Sequence, residues 1–440
     1  MLIFSVYAVL LLALGLMDAR RSHGDLAFFV NDRSSGAVHT GLSLAASCIG
    51  GSATMGMAGL AWQVGTPAFW WLGSGACGLV LLTLFLARKV RASAAYTMPE
   101  MVEAWLGRAR TLVSIIIMPA WLAILAAQFT AMGKLTAALT GMPPEWALVA
   151  GAAVIVLYSC LGGQASVIRS DLPQCVFLLA GILITLLWLL EHHAAPLEAM
   201  RLEIVNEQFG MDRFSYFMII MGGSYLVCPM LFGRLLSARS TGAAVRGSWL
   251  AVFVLLAASA AIVSLGVLCR GLVPAGTRPD DVLAVVMGLL PSWVGMLLLV
   301  ALLSAVLSSA DSCLVTASTV LCNDLLRRRS VAWCRMITLL FGAGGLVLSL
   351  QGHGILDLLL MANDIYVCGV AVPVFTAMLM KRGSTRPVSG LAAMIVGGLS
   401  GLAAALTGRP DISYAGMACA VAILLWGRWF RARVDCPAES

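Results

Sequence analysis

The run Ala45-Ala46-Ser47-Cys48-Ile49-Gly50-Gly51-Ser52-Ala53-Thr54 sits in the middle of an apolar stretch, 38–62, long enough to cross a bilayer as a helix. Gly50-Gly51-Ser52 interrupts that helix where it should be most regular, because paired glycines are poor helix formers. A second apolar stretch, 214–236, carries Gly222-Gly223-Ser224, with Pro229 just beyond. Five helices separate the starts of the two stretches, and five is odd, so the second unit enters the membrane upside down relative to the first. Paired Gly-interrupted helices in inverted units point to a binding site near the bilayer midplane. Taken singly, each glycine pair is better read as letting helices pack closely. The matched positions favour breaks.

The rest of the chain supports a membrane setting. Of 440 residues, 60% are hydrophobic and 11% charged, which a water-soluble domain has no interior to hold. Apolar runs of spanning length fall at 1–17, 38–62, 68–87, 111–140, 146–162, 172–190, 214–236, 248–269, 293–322, 334–350, 354–380, 388–407 and 412–427. The expected fold class is therefore an all-α polytopic membrane protein of about thirteen transmembrane helices. The first run lacks the basic start of a cleaved signal peptide and is followed by Arg20 and Arg21, so it reads as an uncleaved helix with its N-terminus outside. Under that topology 22 of the 28 Lys and Arg face the cytoplasm, five face the other side, and Lys134 lies within a span. Arg234 and Arg169 are counted with the cytoplasmic residues. The net charge of +7 is thus a topology signal and not a nucleic-acid surface. Twelve cysteines without CxxC pairs or a Cys/His framework fit membrane-buried thiols.

Chemistry is expected in the ninth run, at Ala305-Val306-Leu307-Ser308-Ser309-Ala310-Asp311-Ser312. Positions 305, 308, 309 and 312 share one helical face and offer carbonyls and hydroxyls, with a carboxylate at the edge. Neutral oxygens suit a monovalent cation that must also leave. Serines back-bonding to their own helix would give the same stripe. Asp311 argues for an ion path, since an acid inside a membrane helix costs about 2.5–3.5 kcal/mol on insertion scales.

This stretch, from Leu303 to Ser312 and on to Asn323-Asp324, resembles the signature of the sodium:solute symporter family. So does the segment Tyr158-Ser159-Cys160-Leu161-Gly162-Gly163-Gln164-Ala165-Ser166-Val167-Ile168-Arg169-Ser170-Asp171-Leu172-Pro173-Gln174. Two further matches are Asn31-Asp32-Arg33-Ser34 leading to Ala45 through Gly50, and Arg234-Leu235-Leu236-Ser237-Ala238-Arg239-Ser240. All four run in family order. The resemblance implies an inverted-repeat, LeuT-like core of two five-helix units. The chain would divide into a peripheral helix and loop (1–37), the first repeat (38–190), an external loop (191–213), the second repeat (214–380) and two C-terminal helices with a short tail (381–440).

By position, the resemblance also implies that sodium is held by the carbonyls of Ala46, Ile49 and Ala305 and the hydroxyls of Ser308 and Ser309. Asp171, Asp311 and Ser312 would hold a second sodium or line the release path. Asp171 has a plainer reading as a helix N-cap, since Ser170-Asp171 precedes Pro173. Na⁺ is the only metal implied, as coupling ion, and no cofactor is. For the solute, candidates are Ser52, Ala53 and Thr54 at the first break, Ser224 and Tyr225 at the second, and Asn363 and Asp364 in the eleventh run. Half-helix N-termini attract carboxylates, and Asp364 could pair with a substrate ammonium, with Lys134, or face water. Sugar-transporting relatives place a Gln where Ala53 stands, which argues against a sugar. Trp70 and Trp71 read as interfacial anchors and not as a binding cage.

The expected function is sodium-coupled import of a small organic solute, amino-acid-like or a carboxylate, through the plasma (inner) membrane by alternating access, with the C-terminus cytoplasmic. Expected partners are the solute, sodium and the lipid bilayer, with no nucleic acid and no obligatory protein. Proton coupling through Asp171 and Asp311 stays open, as does a membrane sensor acting with a separate partner. A membrane enzyme is disfavoured, because no nucleophile–base pair, HExxH or phosphate-binding loop is present.

Overall fold

The computed structural model describes residues 29–193, 201–352 and 354–435. The expected first span, 1–17, and Arg20 and Arg21 lie outside them. Among the described residues the chain is helical, with isolated β-bridges and no sheet. A chain with few charges has no water within the hydrocarbon to satisfy its backbone, so its amides must be paired inside each segment, which helices do.

The expected runs from 38–62 onward fall on thirteen helical segments, two of them over 38–62. We number them α1 (Ala37–Cys48), α2 (Ser52–Val64), α3 (Thr66–Phe85), α4 (Arg110–Thr140), α5 (Pro144–Cys160), α6 (Gly163–His192), α7 (Met211–Ser237), α8 (Thr241–Gly271), α9 (Ser292–Leu325), α10 (Val331–Ser349), α11 (Ile355–Leu379), α12 (Pro387–Thr407) and α13 (Pro410–Arg431). Ten are long and apolar enough to span alone; α1 and α2, bent by 66° at their junction, make an eleventh, and α5 is a shorter apolar helix. Prolines stand in the first turn of α5, α12 and the second half of α7, where a missing N–H costs nothing.

Two boundaries depart from the sequence reading. The sixth span starts at Gly163 and not near 172, because the chain turns at Gly163 (φ 62°) and resumes as helix immediately. A positive φ suits glycine, so the turn needs no loop. Residues 163–171 are therefore helical, and Asp171 lies inside α6, not at its N-cap. In α7 the break comes at Val227-Cys228 (φ −138° and −98°) and not at Gly222-Gly223-Ser224, which stay helical. Gly222 allows close packing instead: a Cβ on the facing Gly78 would come within 2.0 Å of the Gly222 carbonyl.

Burial separates core from periphery. The apolar window of α9 is 78% buried, against 28% for α10 and 33% for α12 and α13. Helix α9 packs on α1, α4, α5 and α6, and α12 and α13 pair beside α11. At the end of α9, Asp324 accepts from Arg110 Nε at 2.7 Å and from Thr97 Oγ1 at 2.8 Å. The Asn323-Asp324 pair thus ties α9 to the start of α4 and to the short helix Met98–Leu106. The other two motif segments meet as well: Ser35 N–H donates to Ser237 O, and Arg239 N–H to Ser35 O.

Candidate functional site

Helix α1 ends at Cys48, and Ile49 is non-helical (φ −96°, ψ 72°). The carbonyls of a final helical turn run out of intrahelical donors. Side chains of α9 supply them here. Ser308 Oγ lies 3.1 Å from both Ala46 O and Ala305 O, and Ser309 Oγ lies 3.4 Å from Ala46 O and 3.2 Å from Ser47 O. Ala46, Ile49, Ala305, Ser308 and Ser309 are all at most 3% exposed. The spacing has a chemical meaning. Two oxygens about 2.4 Å from a cation of calcium-like radius, at right angles, stand about 3.4 Å apart. Rotating the two hydroxyl hydrogens turns the same oxygens from mutual hydrogen bonding to cation binding.

Close approach keeps this geometry. A Cβ on Gly50 would lie 2.6 Å from Ser309 Oγ and 2.8 Å from Gln128 Oε1. Gln128 Oε1 accepts from Gly51 N–H at 2.8 Å, so α4 holds the start of the second half-helix.

Behind the serines lies a charged cluster. Arg234 Nη2 donates to Asp171 Oδ2 at 3.1 Å, with both side chains fully buried. Ser43 Oγ also donates to Asp171, and Arg234 donates to Ser43 at 3.2 Å and to Ser312. Ser312 donates to Ser308 O at 2.5 Å and shares a 3.3 Å hydrogen bond with Ser47. Asp311, adjoining, accepts from Ser312 at 3.4 Å. Asp171 Oδ1, Asp311 Oδ2 and Arg234 Nη1 have no hydrogen-bond partner among the described residues. Two carboxylates face one guanidinium here. The structure thereby corrects two readings: Asp171 is an ion-paired core residue, and Arg234 is no cytoplasmic topology charge. Its motif segment marked it, but the cation count hid its role.

Next to the serines opens a small cavity lined from α1, α2, α3, α4, α7, α9 and α11. Of the seven solute candidates, Ser52, Ala53, Ser224, Tyr225 and Asn363 line it. Thr54 does not; its hydroxyl bonds back to Gly50 O at 2.9 Å. Asp364 does not either. It accepts from Tyr216 Oη at 2.7 Å and Ser413 Oγ at 2.9 Å, and it lines a different cavity, with Asp212 and Asp357. Lys134 is not its partner, since it bonds Asp281 at 2.5 Å. Trp71, 2% exposed, lines the cavity and is no interfacial anchor. Trp121, Gln128 and Tyr366 line it too, and sequence reading missed all three. Each lies in an unbroken helical stretch without a motif, so no local signal distinguished it from core.

A many-helix membrane protein with a broken helix, a buried oxygen cradle and an adjoining cavity is built as a transporter. The family model of the sodium:solute symporter family matches residues 28–397, and the chain belongs to that family. It is 24% identical over 449 residues to high affinity choline transporter 1 of Homo sapiens, covering 89% of this chain and 76% of the human one. It is 25% identical over 351 residues to a sodium/proline symporter of Staphylococcus aureus, covering 73% and 67%. Among solved structures, the substrate-bound outward-open state of a Na⁺-coupled sialic acid symporter superposes with a TM-score of 0.80 at 15% identity, over 97% of this chain and 96% of that one. The inward-facing Mhp1 transporter gives 0.64 at 17% identity, over 91% of each. The protein is a membrane transporter and not an enzyme, and its family supports sodium-coupled symport.

Proposed function

We propose that the chain imports a small amino-acid-like or carboxylate solute by alternating access, driven by inward sodium flow. Ala46, Ile49, Ala305, Ser308 and Ser309 hold the coupling ion, and residues 38–190 and 214–380 form two inverted repeats. The observation that carries this reading is the contact of the Ser308 and Ser309 hydroxyls with the freed carbonyls of a broken helix. The cradle and the cavity share Ser47, Gly50 and Ser309, so an ion bound there shapes the solute's wall. That shared wall is a physical basis for coupling. The excess of Lys and Arg on one side supports an outside N-terminus and a cytoplasmic C-terminus.

Asp171, Asp311 and Ser312 form the second part of the reading. The cluster carries one more carboxylate than cation, and an unpaired charge in low dielectric demands a partner. A second sodium at Asp311 supplies it; a proton on Asp311 is the competing reading, favoured by the same orphaned Oδ2. Solute uptake into proteoliposomes under separate sodium and proton gradients tests both. Uptake driven by sodium alone, with two sodium ions per solute, supports the first. Uptake that follows a proton gradient without sodium refutes sodium coupling.

A further inference from the structure

The cavity wall names its occupant more closely than the symport reading does. Resting on that reading, we propose that the solute is a net-neutral zwitterion whose nitrogen is fully alkylated, a compound of the betaine class. Among the described residues no Asp, Glu, Lys, Arg or His lines the cavity, whereas Trp71, Trp121, Tyr225 and Tyr366 do. A solute with net charge would find no counter-charge in that wall. The neighbouring cradle makes the point sharper, because sodium and a simple organic cation would bring two positive charges together while the one surplus carboxylate lies behind the serines and not in the cavity wall.

A carboxylate has partners here. Trp121 Nε1 and Tyr366 Oη are buried donors without a partner among the described residues, and both side chains are 1% exposed. Their rings meet edge to face with centroids 5.1 Å apart, so the two donors belong to one wall. Leaving such donors unmet costs free energy that an accepting group on the solute restores. The start of α2 at Ser52 adds a half-helix N-terminus to the same cavity.

A primary ammonium has few partners. It needs acceptors for three N–H groups; Gln128 Oε1 is committed to Gly51 N–H and the Ser309 hydroxyl to the α1 carbonyls, which leaves neutral oxygens such as Asn363 Oδ1 and no carboxylate to meet it. An alkylated ammonium carries no N–H and asks only for aromatic faces, which attract it by cation–π interaction. Four rings and two orphaned donors therefore match a molecule with a methylated cationic end and a carboxylate end.

The test uses the full chain in proteoliposomes with an inward sodium gradient and labelled glycine betaine. Competition comes from three probes that each remove one feature: choline lacks the carboxylate, 3,3-dimethylbutyrate is the uncharged-carbon isostere, and glycine lacks the methyl groups. Glycine betaine should be taken up, and each probe should compete at least about tenfold more weakly. Trp121→Phe and Tyr366→Phe keep rings and lose donors. Together they should raise the half-saturating betaine concentration about tenfold while leaving that for sodium unchanged. Equal competition by choline or 3,3-dimethylbutyrate, or an unaltered double variant, overturns the assignment. Equilibrium binding of labelled betaine to purified protein with and without sodium separates the two claims. Sodium-driven uptake of a different solute, with no betaine binding, removes this proposal alone, and betaine binding indifferent to sodium removes the symport reading while the solute class stands.

Discussion

Two buried regions lie side by side in this protein and share Ser47. One is the polar column between α1, α6, α7 and α9, where Asp171, Arg234 and Asp311 sit at essentially zero exposure. The other is the cavity, whose wall holds aromatic rings, amides and hydroxyls but no charge among the described residues. The membrane makes charge costly everywhere, so its presence in the column and its absence from the adjoining cavity wall are informative. On the proposed reading, charge stands beside the ion, and its absence marks where a net-neutral solute rests. Sequence variants can test that division by moving each region's groups separately.

The largest effect should follow from Arg234→Gln. Removing the guanidinium leaves Asp171 buried and uncompensated, and breaking such a pair costs about 3–5 kcal/mol. Thermal unfolding in detergent should show a strongly destabilised or unrecoverable protein. Arg234→Gln combined with Asp171→Asn should recover much of the loss, since neutral amides replace the bare charge. A single Arg234→Gln variant of wild-type stability would show that the column is not organised by this pair.

Smaller, and confined to the ion, should be the double change Ser308→Ala with Ser309→Ala. It removes two of five proposed ligand oxygens but leaves the α9 backbone intact, because neither hydroxyl holds the helix together. The sodium concentration for half-maximal uptake should rise at least about tenfold, equivalent to about 1.4 kcal/mol, with unfolding little changed. Gly50→Ala should act in the same direction through sterics, since its Cβ would press within 2.6 Å of Ser309 Oγ. Wild-type sodium dependence in the double variant would place the ion elsewhere.

The polar column was more legible in the sequence than the cavity, for a physical reason. Candidate ligands on one helix repeat at fixed spacing, so 305, 308, 309 and 312 declared their shared face, and Gly50-Gly51 declared the bend. Asp171 drew notice through its motif segment, but its partner Arg234, 63 residues away, was hidden among cations near span ends. The cavity is assembled across α2, α3, α4, α7 and α11 from residues that look like ordinary core, so Trp71, Trp121 and Tyr366 carried no local mark. Gly222-Gly223 misled in the opposite way. Gly222 serves packing against α3 and Gly223 against Val367 of α11, and the break falls four residues later, next to Pro229.

The smallest effect on transport should come from Asp364→Asn, which separates a residue near the cavity in sequence from one that belongs to it. Asn363 lines the cavity, yet on a helix the next residue points about 100° away, and Asp364 turns toward α7 and α13 to accept from Tyr216 and Ser413. A neutral Asn keeps one acceptor oxygen for two hydroxyl donors, so one bond is lost or rearranged at a cost of about 1 kcal/mol. That loss should appear as a modest fall in unfolding temperature. The half-saturating concentrations for solute and sodium should both stay within about twofold of wild type, because neither cradle nor cavity includes the carboxylate. A large rise in the solute value alone would put a charge back into the solute's surroundings, and with it a primary ammonium as the group recognised. Unchanged affinity beside a lowered unfolding temperature leaves every essential charge on the ion's side of Ser47.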